Sequence, residues 1–285
     1  MKEIIKITAF LCMTTLLQLS LVEADASLGS LLIRGNGRIR RALLQNTTSG
    51  RPVNFSLSDI LKMRDVPFSS LSTMEKENQN DIVNIHNTLR RQVDPPASNM
   101  LKMKWSDEAT KTAEEWANTC NLFHSPKDER KIKGFSCGEN LFMSTFLASW
   151  PDVIKAFDSE KIDFDYGKGV KPGGGMIGHY LQVVWYSSFQ VGCAVAQCPK
   201  SEFQYYYVCQ YCPAGNIQHI INTPYKKGTP CGDCPNACDN GLCTNPCSHQ
   251  DTYSNCVDYV QKPQCSKQDI LDCPATCNCQ NKEIK

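Results

Sequence analysis

Charge of one sign is missing from this 285-residue chain, in which 30 Lys and Arg stand against 29 Asp and Glu. From residue 217 to the end there is no Arg at all, and six Lys face seven acidic residues. A phosphate-tracking stripe is therefore absent, and nucleic-acid binding is not expected. Long apolar runs are also scarce. The one candidate, Ile7 to Val22, is about 15 residues with polar interruptions, short of the roughly 20 that a membrane-spanning helix needs. With Lys2 and Lys6 ahead of it and Ala24 and Ala26 behind, it reads as a cleaved secretory leader over residues 1–24, and no transmembrane segment is expected. Neither an H-E-x-x-H helix nor a G-x-S-x-G elbow occurs, which removes the usual signatures of zinc and serine hydrolases.

Cysteine is absent between Cys12, inside the leader, and Cys120; from Cys120 onward there are 16. An even number on a secreted chain implies a disulfide framework, and thiols consumed in bridges leave no Cys nucleophile. Residues 25–71 carry Ser, Asn, Gly and Arg with no core-forming pattern, and two glycosylation sequons at Asn46 and Asn54. This reads as a flexible glycosylated arm. It also holds Arg38-Ile39-Arg40-Arg41, a basic run of the kind that secretory processing proteases cut, or else a solvated stretch that is never cut.

Helical signals begin at Ser72, where Glu75 three residues on suggests a capping box and Ile82, Ile85 and Leu89 share a face until Pro95-Pro96. Ser106 followed by Asp107 and Glu108 predicts a second helix with Ala109, Ala113, Trp116 and Cys120 on one side, and Ser149 with Pro151 and Asp152 a third that buries Val153, Ile154 and Phe157. Aromatic and β-branched residues then dominate Tyr180–Tyr186, Gln190–Cys198 and Phe203–Tyr211, which predict strands. The result is an α+β domain, an antiparallel sheet covered by helices. From Cys231 to Cys279, ten cysteines among few large aliphatics mark a segment held by bridges rather than by burial. Its Cys-x-x-Cys and Cys-x-Cys spacings would suit zinc in a reducing compartment, but secretion favours bridges.

Several stretches together resemble the cysteine-rich secretory proteins of the CAP superfamily. They are His86-Asn87 with Arg90-Arg91, Pro95-Pro96-Ala97-Ser98-Asn99-Met100, Cys137-Gly138-Glu139-Asn140, Gly178-His179-Tyr180-Leu181-Gln182-Val183-Val184-Trp185, and Tyr207-Val208-Cys209-Gln210-Tyr211-Cys212-Pro213-Ala214-Gly215-Asn216. The Pro95–Met103 segment and the closing Glu283-Ile284-Lys285 look most like mammalian epididymal and sperm-associated members. Leu181 and the long arm depart from the family pattern. The resemblance implies a CAP-type α-β-α sandwich over residues 72–216, a linker and disulfide hinge over 217–246, a toxin-like helical cysteine-rich module over 247–279, and a tail over 280–285. It implies bridges Cys120–Cys198, Cys137–Cys212, Cys193–Cys209, Cys231–Cys238, Cys234–Cys243, Cys247–Cys279, Cys256–Cys273 and Cys265–Cys277.

Read alone, His124 and His179 are ordinary surface or core histidines. The resemblance places them with Glu139 and Glu160 in a central cleft. Two neutral imidazoles offer nitrogen to zinc, weakly and reversibly, and the carboxylates can orient them. The same resemblance implies a secreted, non-enzymatic protein of sperm maturation and sperm–egg interaction, whose partners are sperm-surface and egg-surface proteins and an ion channel. A glandular, venom-like channel effector and a metal-dependent protease are the alternatives. Pore-blocking toxins of similar shape use an adjacent Lys-Tyr pair, whereas this module has Asp258-Tyr259 and an isolated Lys262. Direct plugging of a pore is therefore not expected, and a stabilising cap without a target is the plainer alternative for the module.

Overall fold

The computed structural model describes residues 22–25, 30–35, 38–44, 67–253, 255–260, 265–279 and 283–285, with the segments before residue 45 given as backbone. The chain forms β1 (Val22–Asp25), β2 (Ser30–Gly35), β3 (Arg38–Leu44), α1 (Lys76–Arg91), β4 (Lys104–Trp105), α2 (Asp107–Ala117), β5 (Gly138–Ser144), α3 (Trp150–Asp158), α4 (Gly178–Val183), β6 (Gln190–Gln197) and β7 (Tyr205–Cys212). The seven strands make one sheet in the order β1-β2-β3-β5-β7-β6-β4, antiparallel except for the short β6–β4 pair.

Strand alternation divides the interior into two cores. β6 sends Val191 and Cys193 to one side and Ala194 and Ala196 to the other; β7 does the same with Tyr207, Cys209 and Tyr211 against Tyr206 and Val208. Ile82 of α1, Val153, Ile154 and Phe157 of α3, and Val183 of α4 close the first core, while Ala113 and Ala117 of α2 close the second. The sheet thus lies between two helical layers. The small residues on α2 let it approach closely, and at Gly192 of β6 a Cβ would run into the backbone of Ala109 and Thr110.

At the end of α1, Arg90 is fully buried and meets no carboxylate. Its Nε and Nη2 donate to the Leu101 carbonyl at 2.9 and 2.8 Å, its Nη1 to Val183 and Trp185 at 2.9 and 2.7 Å, and its Nη2 also to Tyr186 and Ser188 at 3.1 and 3.0 Å. Burial lowers the guanidinium from its ordinary value to about 9, so it remains a cation at neutral pH. Beside it, Asn87 exchanges both bonds with the Met103 backbone, at 2.9 and 2.8 Å, in the manner of a neighbouring strand.

Eight disulfides are present: Cys120–Cys198, Cys137–Cys212 and Cys193–Cys209 within the sandwich, Cys231–Cys238 and Cys234–Cys243 in the hinge, and Cys247–Cys279, Cys256–Cys273 and Cys265–Cys277 in the terminal module. The hinge forms a two-residue ribbon, β8 (Cys238–Asp239) with β9 (Leu242–Cys243), and the module three short helices, α5 (Cys256–Tyr259), α6 (Lys267–Asp272) and α7 (Pro274–Asn278).

Four expectations change. Tyr180–Tyr186 is not a strand: residues through Val183 are helical, and α4 is buried from His179 to Val183, so it has no polar face from which a helical period could be read. The Ser72–Glu75 capping box does not form. Ser72 ends a 3-10 turn and its hydroxyl accepts from Met74 N, while Gln79 and Asn78 reach back to the carbonyls of Thr73, Ser70 and Ser72. Cys120 lies past the end of α2, in a left-handed conformation, where its bridge takes it to Cys198. Within the arm, expected to lack regular structure, Ser30–Gly35 pairs with Arg38–Leu43 as an antiparallel ribbon, and the sequence between the two strands is Asn-Gly, a strong hairpin signal. Asn46, Asn54, Lys262 and most of the leader lie outside the described residues.

The hinge is docked rather than free. Cys243 N donates to Met100 O and Lys102 N to Cys243 O, both at 2.8 Å; Ser98 pairs with Lys226 and Asp233; Lys102 bonds Asp239. Ile284 of the tail is buried with Leu101, Phe135, Phe189 and the hinge cysteines, and its backbone bonds Asn245 and Cys247.

Replacing Arg90 by Lys keeps the charge but loses the fork, stranding several buried carbonyls. The expected cost is about 3 kcal/mol or more in denaturant unfolding with the disulfides intact. A loss below about 1 kcal/mol would show that those carbonyls find other donors.

Candidate functional site

Two histidine–carboxylate pairs form, one on each side of the start of β5. Glu139 faces the α2 layer. Its Oε1 accepts from His124 Nδ1 at 2.9 Å, Ser125 N at 2.9 Å and Arg130 Nη1 at 3.4 Å; its Oε2 accepts from Ser125 Oγ at 2.7 Å and Gln210 Nε2 at 3.2 Å. Cross-strand register places Gln210 opposite Glu139, and Thr112 of α2 donates to Gln210 Oε1 at 2.6 Å. Burial pushes the Glu139 carboxyl up, but the hydrogen bonds from His124 and Ser125 and the Arg130 charge outweigh it and hold the group below its ordinary value.

The second pair lies in the opposite layer. Glu160 sits in the 3-10 turn that follows α3; its Oε1 accepts from His179 Nδ1 at 2.6 Å, and its Oε2 from the backbone N–H groups of His179 and Tyr180 at 2.8 and 3.1 Å. Phe157 stacks on the His179 ring with centroids 5.4 Å apart. Asn140, the neighbour of Glu139 on β5, joins the two sides by donating to the His179 carbonyl at 3.0 Å. Its amide also reaches the Tyr211 hydroxyl at 3.5 Å, which bonds His86 Nε2 at 3.0 Å; His86 Nδ1 donates to Ile82 O at 2.7 Å.

All four sequence-derived residues are therefore placed in polar pairs, although no hydrogen bond joins the pairs directly among the described residues. Both imidazoles spend Nδ1 on a carboxylate, which fixes that nitrogen as the donor and leaves Nε2 with its lone pair for a metal. Each Nε2 is a nitrogen of the kind zinc takes, and the two rings stand in opposite layers. A closed site of three or more His, Cys, Asp or Glu does not form among the described residues. Ser125, Arg130 and Gln210 were not singled out from the sequence. Ser125 could have been, since it adjoins His124; Gln210 and Asn140 stand inside recognised motifs, but only the strand register shows what they touch.

Glu139 has every acceptor position engaged and a depressed affinity for protons, the reverse of a general base poised near neutrality. The Ser125 hydroxyl donates to Glu139 instead of to an imidazole, so this serine is not activated by a histidine base. A cavity of about 470 Å3, lined by Leu89, Val93, Asp94, Phe164, Tyr166 and Tyr180 among others, includes none of the four residues.

Acid should loosen this network in two stages. Burial lowers His86 from 6.5 to about 4. Its folded affinity for protons is below its unfolded affinity, so stability is lost as pH falls from 6.5 to about 4, by about 3 kcal/mol. Glu139, whose folded value is depressed, contributes stability above its unfolded value that is lost as pH falls through the folded one. Denaturation midpoints measured from pH 7 to pH 3 should show the first decline in the native protein and not in His86→Gln. An identical decline in that variant would remove His86 as its cause.

Comparison with known proteins gives two family matches: the cysteine-rich secretory protein family (CAP) over residues 83–211, and the Crisp family over residues 231–284. Among solved structures, that of NaASP2 with Zn2+ is 32% identical over 60% of this chain and 96% of its own, with a TM-score of 0.48. Venom allergen-like protein 4 of Schistosoma mansoni is 25% identical over 55% of this chain and 97% of its own, with a TM-score of 0.44. Hookworm platelet inhibitor is 22% identical over 61% of this chain and 93% of its own, with a TM-score of 0.48. With the CAP domain in the sandwich and the Crisp domain in the hinge and module, the chain belongs to the cysteine-rich secretory proteins of the CAP superfamily.

Proposed function

We propose that this chain is a secreted, non-enzymatic recognition protein that binds maturing sperm and acts in sperm maturation and sperm–egg interaction, with regulation of an ion channel as a subsidiary activity. Eight disulfides, and the lack of any membrane-spanning helix among the described residues, fit a secreted extracellular protein. The observation that carries the non-enzymatic reading is the saturation of Glu139 by five hydrogen bonds from four residues, which leaves that carboxylate no acceptor position for a substrate proton. Reproductive partners, on the sperm surface and on the egg, are supported by the likeness of the Pro95–Met103 segment to sperm-associated members. In the terminal module, exposed Tyr253, Val257, Tyr259 and Leu271 offer a contact surface suited to a protein partner.

Labelled protein should bind epididymal sperm saturably and leave erythrocytes bare, with the transcript concentrated in the epididymis. Equal binding to both cells, or absence of the transcript from the whole male tract, would replace this reading with that of a glandular channel effector.

Zinc is the metal that these two ring nitrogens suit. His124 and His179 would hold it through the ring nitrogens not used toward Glu139 and Glu160, weakly and reversibly because two imidazoles are fewer ligands than a structural site supplies. Bound there, zinc would supply a positive charge that tunes shape or assembly. Titration calorimetry should show uptake by the native protein, none by a His124→Gln, His179→Gln double variant, and no loss of fold on chelation, since the bridges hold the chain independently. Equal uptake by both proteins would end the zinc assignment. Metal-dependent peptide cleavage, lost in the double variant, would overturn the non-enzymatic reading.

A further inference from the structure

The arm contains a sequence feature that the recognition function does not use. Arg38-Ile39-Arg40-Arg41 places arginine at the first, second and fourth positions before the Arg41–Ala42 bond. Such spacing suits an endoprotease whose acidic subsites each take one guanidinium, the pairing for which arginine's planar fork is matched to carboxylate.

The register of β3 gives this run a particular setting. Arg38, Ile39, Arg40 and Arg41 pair only with β2, opposite Gly35, Arg34, Ile33 and Leu32. At the next residue a second partner begins: Ala42, Leu43 and Leu44 pair with Ser144, Met143 and Phe142 of β5. The change from ribbon to body of the sheet thus falls at the Arg41–Ala42 bond itself. Upstream of it the strand is extended, with one edge unpaired among the described residues, the state in which a protease cleft adds a substrate as a strand. Once the leader that holds all of β1 but Asp25 is removed, β2 and the start of β3 are left as a two-stranded ribbon, only marginally stable alone, so local opening exposes the run at little cost.

We propose that a secretory-pathway serine endoprotease specific for paired basic residues hydrolyses the Arg41–Ala42 bond. Water adds across the amide, the C–N bond breaks, Arg41 ends as a carboxylate and Ala42 begins the mature chain as an ammonium. Residues 42–44 stay on the edge of β5, while β2 and the arginine run depart. Disulfide formation already commits the chain to the compartments where such enzymes work. Residues 25–41 carry four Arg and one Asp, so the cut removes three net positive charges and retains Asn46 and Asn54.

The full chain, expressed in secretory mammalian cells, tests this by N-terminal sequencing of the secreted protein. The native sequence should read Ala42-Leu43-Leu44-Gln45. Arg38→Ala and Arg41→Ala should each begin upstream, near Asp25 to Ser27, as should the native sequence made with the paired-basic endoprotease inhibited. On isoelectric focusing after glycan removal, that inhibited product should be more basic by three charges. A native chain starting near Asp25 would overturn the proposal, as would an Ala42 start that survives both substitutions and the inhibitor.

Discussion

A single buried cation organises the middle of this molecule. Arg90 lies at the end of α1 where the chain must turn, and the carbonyls it collects come from Leu101, Val183, Trp185, Tyr186 and Ser188, none of which could be left bare in a dry interior. No carboxylate neutralises it, so the backbone dipoles replace water around the guanidinium. A neutral amide could donate to two of them at most, and an ammonium could reach only some. The segment from Leu101, the loop after α4 and the entry to β6 are thereby held to one helix end, and the hinge then builds on Met100 and Lys102 of that same segment.

The two histidine–carboxylate pairs inherit their positions from this scaffold. His179 opens α4, whose last residues lead directly to carbonyls gathered by Arg90, and Glu139 stands on the strand that separates the layers. Each carboxylate is held by several fixed donors, and each ring is oriented by one of its nitrogens. Both rings and both carboxylates are thus held in fixed orientations by bonds that the fold has already made.

Legibility from sequence followed the locality of each signal. The caps at Ser106 and Ser149 act within three residues, and both accept from the expected backbone N–H. Strand β7 was readable because aromatic residues and Val208 fill both faces, and β6 because Val191 and Val195 recur on one face. α4 was not, since a six-residue helix buried all round shows neither polar stripe nor alternation. The strand β5 was hidden for a related reason: from Glu139 to Ser144 every residue is buried, so its period of two has no polar half. For the site, residue types and family likeness pointed to the histidines and glutamates, whereas Ser125, Arg130 and Gln210 depend on strand pairing and loop return, which no local pattern encodes.

Ile284 stands next to the last residue of the chain, yet its effect reaches the whole Crisp segment. Its backbone bonds Asn245 and Cys247, and its side chain packs among hinge cysteines, Phe135 and Phe189. The end of the module is thereby fastened back onto the sandwich, beyond Cys279, at the point where a free end would otherwise swing. Sandwich and module are thereby joined by these contacts as well as by the chain between them. A partner that touches both meets its second contact at a concentration set by fixed geometry instead of by a linker, and loses rotational freedom only once.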